Sequence, residues 1–425
     1  MNEIRDICAR PILDGGARAS LEVVVTTRNA RVRAAPSYAD PRSSGKYEIN
    51  HFPVGGVAGS IECINSVIRN ALVGRDVDDQ REIDAVLARL DGTDDFTHLG
   101  GNTVEAVSMA VAKAAAASAG QPLYRHQAGG RTPGVPHQMP NIIGGGATMG
   151  DTGWRGRTPD LQDHVILPIG CQSTWQELQA VADVFHRTGV LLRDADPGFA
   201  GGRDEEYCWL PALDDVTCLE VLHQACRESA TALGIRFRIG LDVGAADLWD
   251  GSAYCYAREG VRRSPAEHAG HLADLIERFD LFYVEDGFFE DHVELYCEQV
   301  QAFGHRVLVA GDDLLAGRWE RLQMAATRGA INAAVVKLNM CGTVTRTAAF
   351  TEGCRAAGLA MIGSCRTYDS PDDTLADLVV AWGCHSYKCG SPAGGEHAAK
   401  YNRYLRIDEA LGEGPNFLPF PGTAP

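Results

Sequence analysis

Three carboxylates, Asp242, Glu285 and Asp312, each stand at or just beyond the end of a short apolar run, residues 237–241, 281–284 and 307–310. A fourth run, 333–336, ends at Lys337, and a fifth, 359–362, leads into Ser364, Cys365 and Arg366. Each acid taken alone can do no more than cap a helix or solvate a loop. Three in series, followed by a lysine, argue for a shared pocket, where their mutual repulsion calls for a cation. Oxygen donors without histidine or cysteine select Mg²⁺ over zinc. A lysine beside such a centre has its ammonium form disfavoured by positive charge and burial, so its pKa can fall into the range of a general base. A metal with that lysine suits removal of the proton α to a carboxylate, the developing ene-diolate charge being held electrostatically.

Such residues must be brought together by the fold. Apolar runs alternate with helical segments over 175–186, 216–233, 265–279 and 343–357, the βα alternation of a largely parallel sheet. In a closed β/α barrel all the strand C-termini open on one face, so the ionisable residues converge on a single mouth. Upstream, residues 4–34 alternate apolar and polar with turns at Gly15-Gly16 and Arg28-Asn29, as short antiparallel strands do. Helical periodicity follows over 61–72, 83–90 and 103–119. Residues 36–45 read as a surface loop that could serve as a lid, and the Gly/Pro-rich 129–136 as a linker. The expectation is α/β: an N-terminal α+β domain over 1–130 and a catalytic barrel over 131–425.

Composition narrows the partners. The 425 residues carry 39 Lys plus Arg against 56 Asp plus Glu, a net charge of −17 that disfavours nucleic acid and anionic lipid. The 13 cysteines form no CxxC pair and read as reduced thiols in a cytoplasmic protein. Residues 2–6 show no leader-like apolar segment, and no apolar stretch suits a membrane span.

The motifs resemble those of the enolase family along nearly the whole chain. Residues 9–14 (ARPILD) are similar to its ARxILD opening, 90–93 to its LDGT segment and 99–102 to its LGAN segment. Gly311-Asp312-Asp313-Leu314, Val336-Lys337-Leu338-Asn339, Ala376-Asp377-Leu378-Val379 and Ala399-Lys400-Tyr401-Asn402 follow in order. The resemblance implies an enolase-like TIM-type barrel with an N-terminal capping domain, usually as a homodimer or higher homo-oligomer. It implies Mg²⁺ at Asp242, Glu285 and Asp312, with Ser37 on the lid serving a second Mg²⁺ that arrives with substrate. It assigns Lys337 as the base, Lys388 to the substrate carboxylate and Arg366 to a phosphate. Glu205, in the place of the GDEGG segment, is the candidate acid for the leaving hydroxyl, with Asp163 as its alternative. Gln162 and Thr367 fall in substrate-binding segments.

Departures cluster around the phosphate and the leaving group. Thr148 stands where the family's NGGSHA loop has histidine, Asp163 shortens the acid of QEF, and Cys365 replaces the histidine of SHRSGET. The lid is longer and bulkier than SGASTG. Each change has a bland reading as packing, Cys365 as a small buried hydrophobe included. Together they point to an altered distal pocket, since losing two imidazoles removes donors from a phosphate dianion. The expected substrate is a small anionic carboxylate bearing a phosphorus group, converted to an enolpyruvyl compound outside glycolysis. The alternatives are ordinary dehydration of 2-phosphoglycerate and an inactive enolase-shaped scaffold, which has no need of crowded like charges.

Overall fold

The computed structural model describes residues 2–38, 45–146 and 155–420. Three antiparallel strands, β1 (Asp6–Leu13), β2 (Ala19–Thr26) and β3 (Arg31–Ala34), form the meander that the N-terminal alternation predicts. Leu21, Val23 and Val25 of β2 are fully buried, against the helix Gly101–Ser118. That helix is buried on nearly every side and also meets the helices Leu338–Cys341 and Val344–Ala356. Its run of alanines follows from this position, because small side chains let it lie close to both layers. The periodicity over 61–72 becomes a helix widened by a π turn at Ile64–Ile68. The wide turn presents Asn65 to the edge of β1, where its amide pairs with both the N–H and the C=O of Ala9 at 2.7 and 3.1 Å.

The barrel is built from β4 (His137–Gln138), β5 (Asn141–Gly144), β6 (Asp163–Ile169), β7 (Arg236–Asp242), β10 (Tyr283–Glu285), β11 (Leu308–Gly311), β12 (Ala333–Val336), β13 (Ala360–Ser364) and β14 (Ser386–Lys388); β8 (Tyr254–Tyr256) and β9 (Val261–Arg263) form a separate hairpin. The order is β4-β14-β13-β12-β11-β10-β7-β6-β5. β4 and β5 are halves of one chain run broken at Pro140, the first pairing with β14 and the second with β6. The pairing is parallel except at β5–β6 and β6–β7, so the sheet is largely parallel, as the βα alternation predicts. Two helices, Thr174–Ala195 and Asp215–Leu233, separate β6 from β7. Each helix traverses the barrel once, so the chain re-enters from the opposite end and the strand direction reverses. The start of β6 therefore joins the C-terminal ends of the other strands, with Asp163 in register with Asp242. Val165, Leu167, Tyr283, Leu308, Val335 and Ile362 fill the barrel interior.

The helix Pro265–Phe279 begins with a capping box, Ser264 and Glu267 exchanging side-chain and backbone hydrogen bonds, with Pro265 in the first turn. Its His268 is fully buried: one ring nitrogen contacts the Gly287 carbonyl at 2.7 Å and the other the Tyr256 hydroxyl at 2.9 Å. Burial pushes its pKa down to about 3, below the ordinary 6.5. The neutral ring is therefore favoured in the fold, and its contribution is full above about pH 6.5 and lost progressively as pH falls toward 3. Urea titrations between pH 7 and 5 are expected to show wild-type stability falling by up to about 1.4 kcal/mol per pH unit more steeply than that of His268→Gln. Parallel slopes would exclude this role.

Candidate active site

Asp242 closes β7, Glu285 closes β10 and Lys388 closes β14, while Asp312, Lys337 and Cys365-Arg366 lie just past β11, β12 and β13. These ends are lateral neighbours: Glu285 is in register with Asp242, and Ser364 with Lys388. Asp242, Asp312, Lys337, Arg366 and Lys388 line one cavity at the barrel mouth, with Glu285 completely buried beneath it. The convergence expected from the strand-end pattern is present.

Two ammonium groups thread the acids. Lys388 Nζ lies 2.5 Å from Asp242 Oδ2, 3.0 Å from Glu285 Oε2 and 3.8 Å from Asp163 Oδ2. Lys337 pairs with Asp312 Oδ2. Burial works against the charged form of Lys337, but Asp312 outweighs it and the pKa is raised. Burial and Asp242 push Glu285 up to about 7 against the pull of Lys388, and the Tyr283 hydroxyl donates to its Oε2 at 2.6 Å. Burial, then Glu206, raise Asp163 well above the carboxylate range.

Carboxyls still outnumber cations in the mouth. Glu285 Oε1 and Asp312 Oδ1 are buried without a hydrogen-bond partner among the described residues. Orphaned hard oxygens beneath an acidic cavity fit Mg²⁺ better than a softer ion. A closer group of acids is Asp286, Asp312 and Asp313, whose ligand atoms lie within 4.8 Å of one another. Asp286, however, is engaged by the backbone, since its carboxylate accepts the N–H groups of Asp312 and Asp313 at 3.0 and 2.7 Å and the Tyr296 hydroxyl at 3.3 Å. From a left-handed backbone position, φ 42°, it holds the turn that presents Asp312.

The structure redirects the acid expected at Glu205. Its carboxylate pairs with Arg18 at 2.6 Å, away from the cavity, and Glu206 lines the cavity instead. Asp204 Oδ1 accepts the N–H groups of Glu206 and Cys208 at 2.9 and 2.8 Å, and Tyr207 has φ 60°. This tight turn rotates successive side chains, sending Glu205 outward and Glu206 inward. Thr367 Oγ1 and Asn141 Nδ2 each donate to Glu206 at 2.9 Å. Glu206 was missed because it stands where the family segment has glycine, and spacing alone does not tell tandem glutamates apart.

Gln162 lines the cavity and donates to Asp242 Oδ2 at 3.2 Å. Ser37 is buried apart from the lining residues, next to Tyr38, which bridges to Tyr368; the structure does not bring it to the acids. Thr148 lies outside the described residues. Arg366 is held by Glu48, its two terminal nitrogens 3.1 and 3.0 Å from Glu48 Oε1. Reading all cysteines as reduced also needs correction: Cys365 and Cys389 form a disulfide in the cavity wall, and the other eleven are free. Adjacent pairing of β13 and β14 brings the two together, which no sequence spacing reveals.

Two family models match the chain: "Enolase, N-terminal domain" over residues 4–127 and "Enolase, C-terminal TIM barrel domain" over 133–419. A protein named Enolase from Methanothermobacter thermautotrophicus is 37% identical over 411 residues, covering 96% of this chain and 97% of the relative. Enolases of Methanosphaera stadtmanae and Pyrobaculum aerophilum are 36% and 33% identical, covering 96% and 97% of this chain and 97% of each relative. Among the described residues no helix is long and apolar enough to cross a membrane.

Proposed function

Since the chain belongs to the enolase family and is a magnesium-dependent lyase of that family, we propose that its barrel mouth removes the proton α to a carboxylate and forms an enolpyruvyl phosphorus compound. One observation carries this reading: Lys337, Lys388 and Arg366 share a cavity with the acids Asp242 and Asp312 at the ends of β7 and β11, with Glu285 of β10 buried against Lys388. Asp242, Glu285 and Asp312 would hold Mg²⁺, which when bound supplies positive charge opposite the charge developing on the substrate carboxylate.

Lys337 takes the α proton on Nζ. To act it must be neutral, so its pairing with Asp312 has to loosen first. Lys388, now shared among three acids, turns to the substrate carboxylate in the same exchange. Arg366 faces the phosphorus group, with Cys365, Gln162 and Thr367 around it. Asp163 and Glu206 form the acid pair: both are buried with carboxylate oxygens within 4.8 Å of each other, and burial followed by the charge of Glu206 pushes Asp163 up, so Asp163 keeps a proton. That proton serves the departing hydroxyl, and Thr367 and Asn141 keep Glu206 aimed at it. A second Mg²⁺ that arrives with substrate, assembly as a homodimer or higher homo-oligomer, a cytoplasmic location and a division of the chain near residue 130 belong to the same proposal.

The altered groups around the phosphorus pocket favour a specialised substrate. The nearest such activity is that of a carboxyphosphonoenolpyruvate synthase of phosphinothricin-type antibiotic formation, acting on a glycerate-like acid that carries a phosphonoformyl group. The names of the relatives favour a second reading, dehydration of 2-phosphoglycerate. With 2-phosphoglycerate and Mg²⁺, followed at the enol absorbance, the specialised reading expects turnover far below roughly 10–10³ s⁻¹. A rate within that range would establish the second.

A further inference from the structure

The Cys365–Cys389 disulfide lies one residue beyond the ladder in which Ser364 of β13 pairs with Lys388 of β14. Cys365 immediately precedes Arg366, and Cys389 immediately follows Lys388. The bond thus ties together the two segments that carry the anion-facing cations, and both cysteines line the cavity. Its position is a poor one for a stabilising staple. The strands it joins are already hydrogen-bonded, and the chain between them contains the completely buried helix Thr374–Trp382. Eleven other cysteines remain thiols, among them the partly exposed Cys8, Cys63, Cys255 and Cys297. A chain that keeps its thiols reduced everywhere except in the wall of one cavity has the pattern of a redox-responsive pair.

We propose that Cys365 and Cys389 form a reversible dithiol/disulfide switch that controls anion binding between Arg366 and Lys388. The two residues differ in exposure, Cys365 being 6% and Cys389 1% exposed. An external thiolate entering the mouth attacks Cys365 Sγ, forming a mixed disulfide and expelling Cys389 as thiolate. A second external thiol attacks the mixed disulfide and leaves as part of an external disulfide, so two electrons and two protons reach the pair. The surroundings accommodate the opened form. A ring nitrogen of His397 lies within 4.8 Å of both sulfurs, and Asp369 Oδ2 lies 3.9 Å from Cys389 Sγ, so polar neighbours are at hand for the thiols that reduction creates. His397 is fixed by its Nδ1 contact with the Ala393 carbonyl at 3.0 Å. Gly390, at φ 51°, leaves the ring its space, since a Cβ there would stand 2.1 Å from Cε1.

Closed, the disulfide holds the Arg366 and Lys388 segments at a fixed separation, so an anion meets preorganised cations. Opened, each segment regains freedom and that advantage is lost. The choice of probe, though not the switch, rests on the proposed function. The test counts thiols in the denatured protein and measures phosphoenolpyruvate and inorganic phosphate binding by calorimetry in Mg²⁺, before and after reduction with a small thiol. Expected are 11 thiols before and 13 after, restoration by oxidised glutathione, and at least a tenfold loss of affinity on reduction. Cys365→Ser is expected to bind as the reduced form does, with no response to reductant. Thirteen thiols before reduction, a bond that glutathione buffers neither open nor reform, or affinities equal within twofold would overturn the switch. Phosphate binding that weakens on reduction, with phosphoenolpyruvate ignored by both forms, would support the switch and overturn the enolpyruvyl reading. Binding of neither probe to either form would overturn both.

Discussion

Lys337→Ala is expected to slow exchange of the substrate α proton with solvent by about 10²- to 10⁴-fold, the span of a lost general base, while Mg²⁺ binding persists. The alanine removes the amine at the end of β12 without touching the acids at the ends of β7, β10 and β11. Proton exchange in D₂O, read by NMR, isolates this step from departure of the hydroxyl. Asp312→Ala is expected to do the reverse at the metal, weakening Mg²⁺ in calorimetry. It also strips Lys337 of the acid that raises its pKa. Exchange surviving in Lys337→Ala would transfer the base to another group. Loss of Mg²⁺ binding in that variant would make Lys337 a prop of the acid cluster instead.

Glu48→Ala carries the largest expected cost in stability. Glu48 and Arg366 are both buried, and both terminal guanidinium nitrogens turn to one carboxylate oxygen. Burial raises the Glu48 pKa, but Arg366 and His51 outweigh it and hold it at about 2. Removing the carboxylate leaves a guanidinium buried without its partner, which typically costs about 3–5 kcal/mol. The denaturant midpoint should fall accordingly with an unchanged slope. A folded-state pKa below the unfolded value means that the pair's contribution is complete above about pH 4.5 and lost as pH falls toward 2. Glu48→Gln should remove that pH dependence. A loss under about 1 kcal/mol in Glu48→Ala would show that water or another acid reaches Arg366. The same contact gives the N-terminal segment a direct hold on an arginine that lines the cavity.

Repeating local patterns made the architecture readable. Apolar runs that end in charged residues mark strands whose ends carry chemistry, and helical periodicity between them fixes the alternation, because both depend on neighbours a few residues apart. On that basis Asp242, Glu285, Asp312, Lys337 and Arg366 were legible in the chain, Lys388 only through the family resemblance, and they do gather at one mouth, with Glu285 beneath it. The reversed direction of β6 was not legible, since it depends on how many helices cross the barrel between two strands. Nor was Glu206, whose inward aim comes from the Asp204 turn and the left-handed Tyr207.

What the chain alone determined is the set of charges and the strands that carry them. Tertiary packing decided which of those charges neutralise one another: Glu48 with Arg366, Glu205 with Arg18, Lys388 with acids from three strands. It also decided that Cys365 meets Cys389. The reason is range. Periodicity is written into neighbouring residues, whereas an ion pair or disulfide between residues tens or hundreds of positions apart depends on ångström-scale placement that only the closed barrel and its N-terminal layer provide.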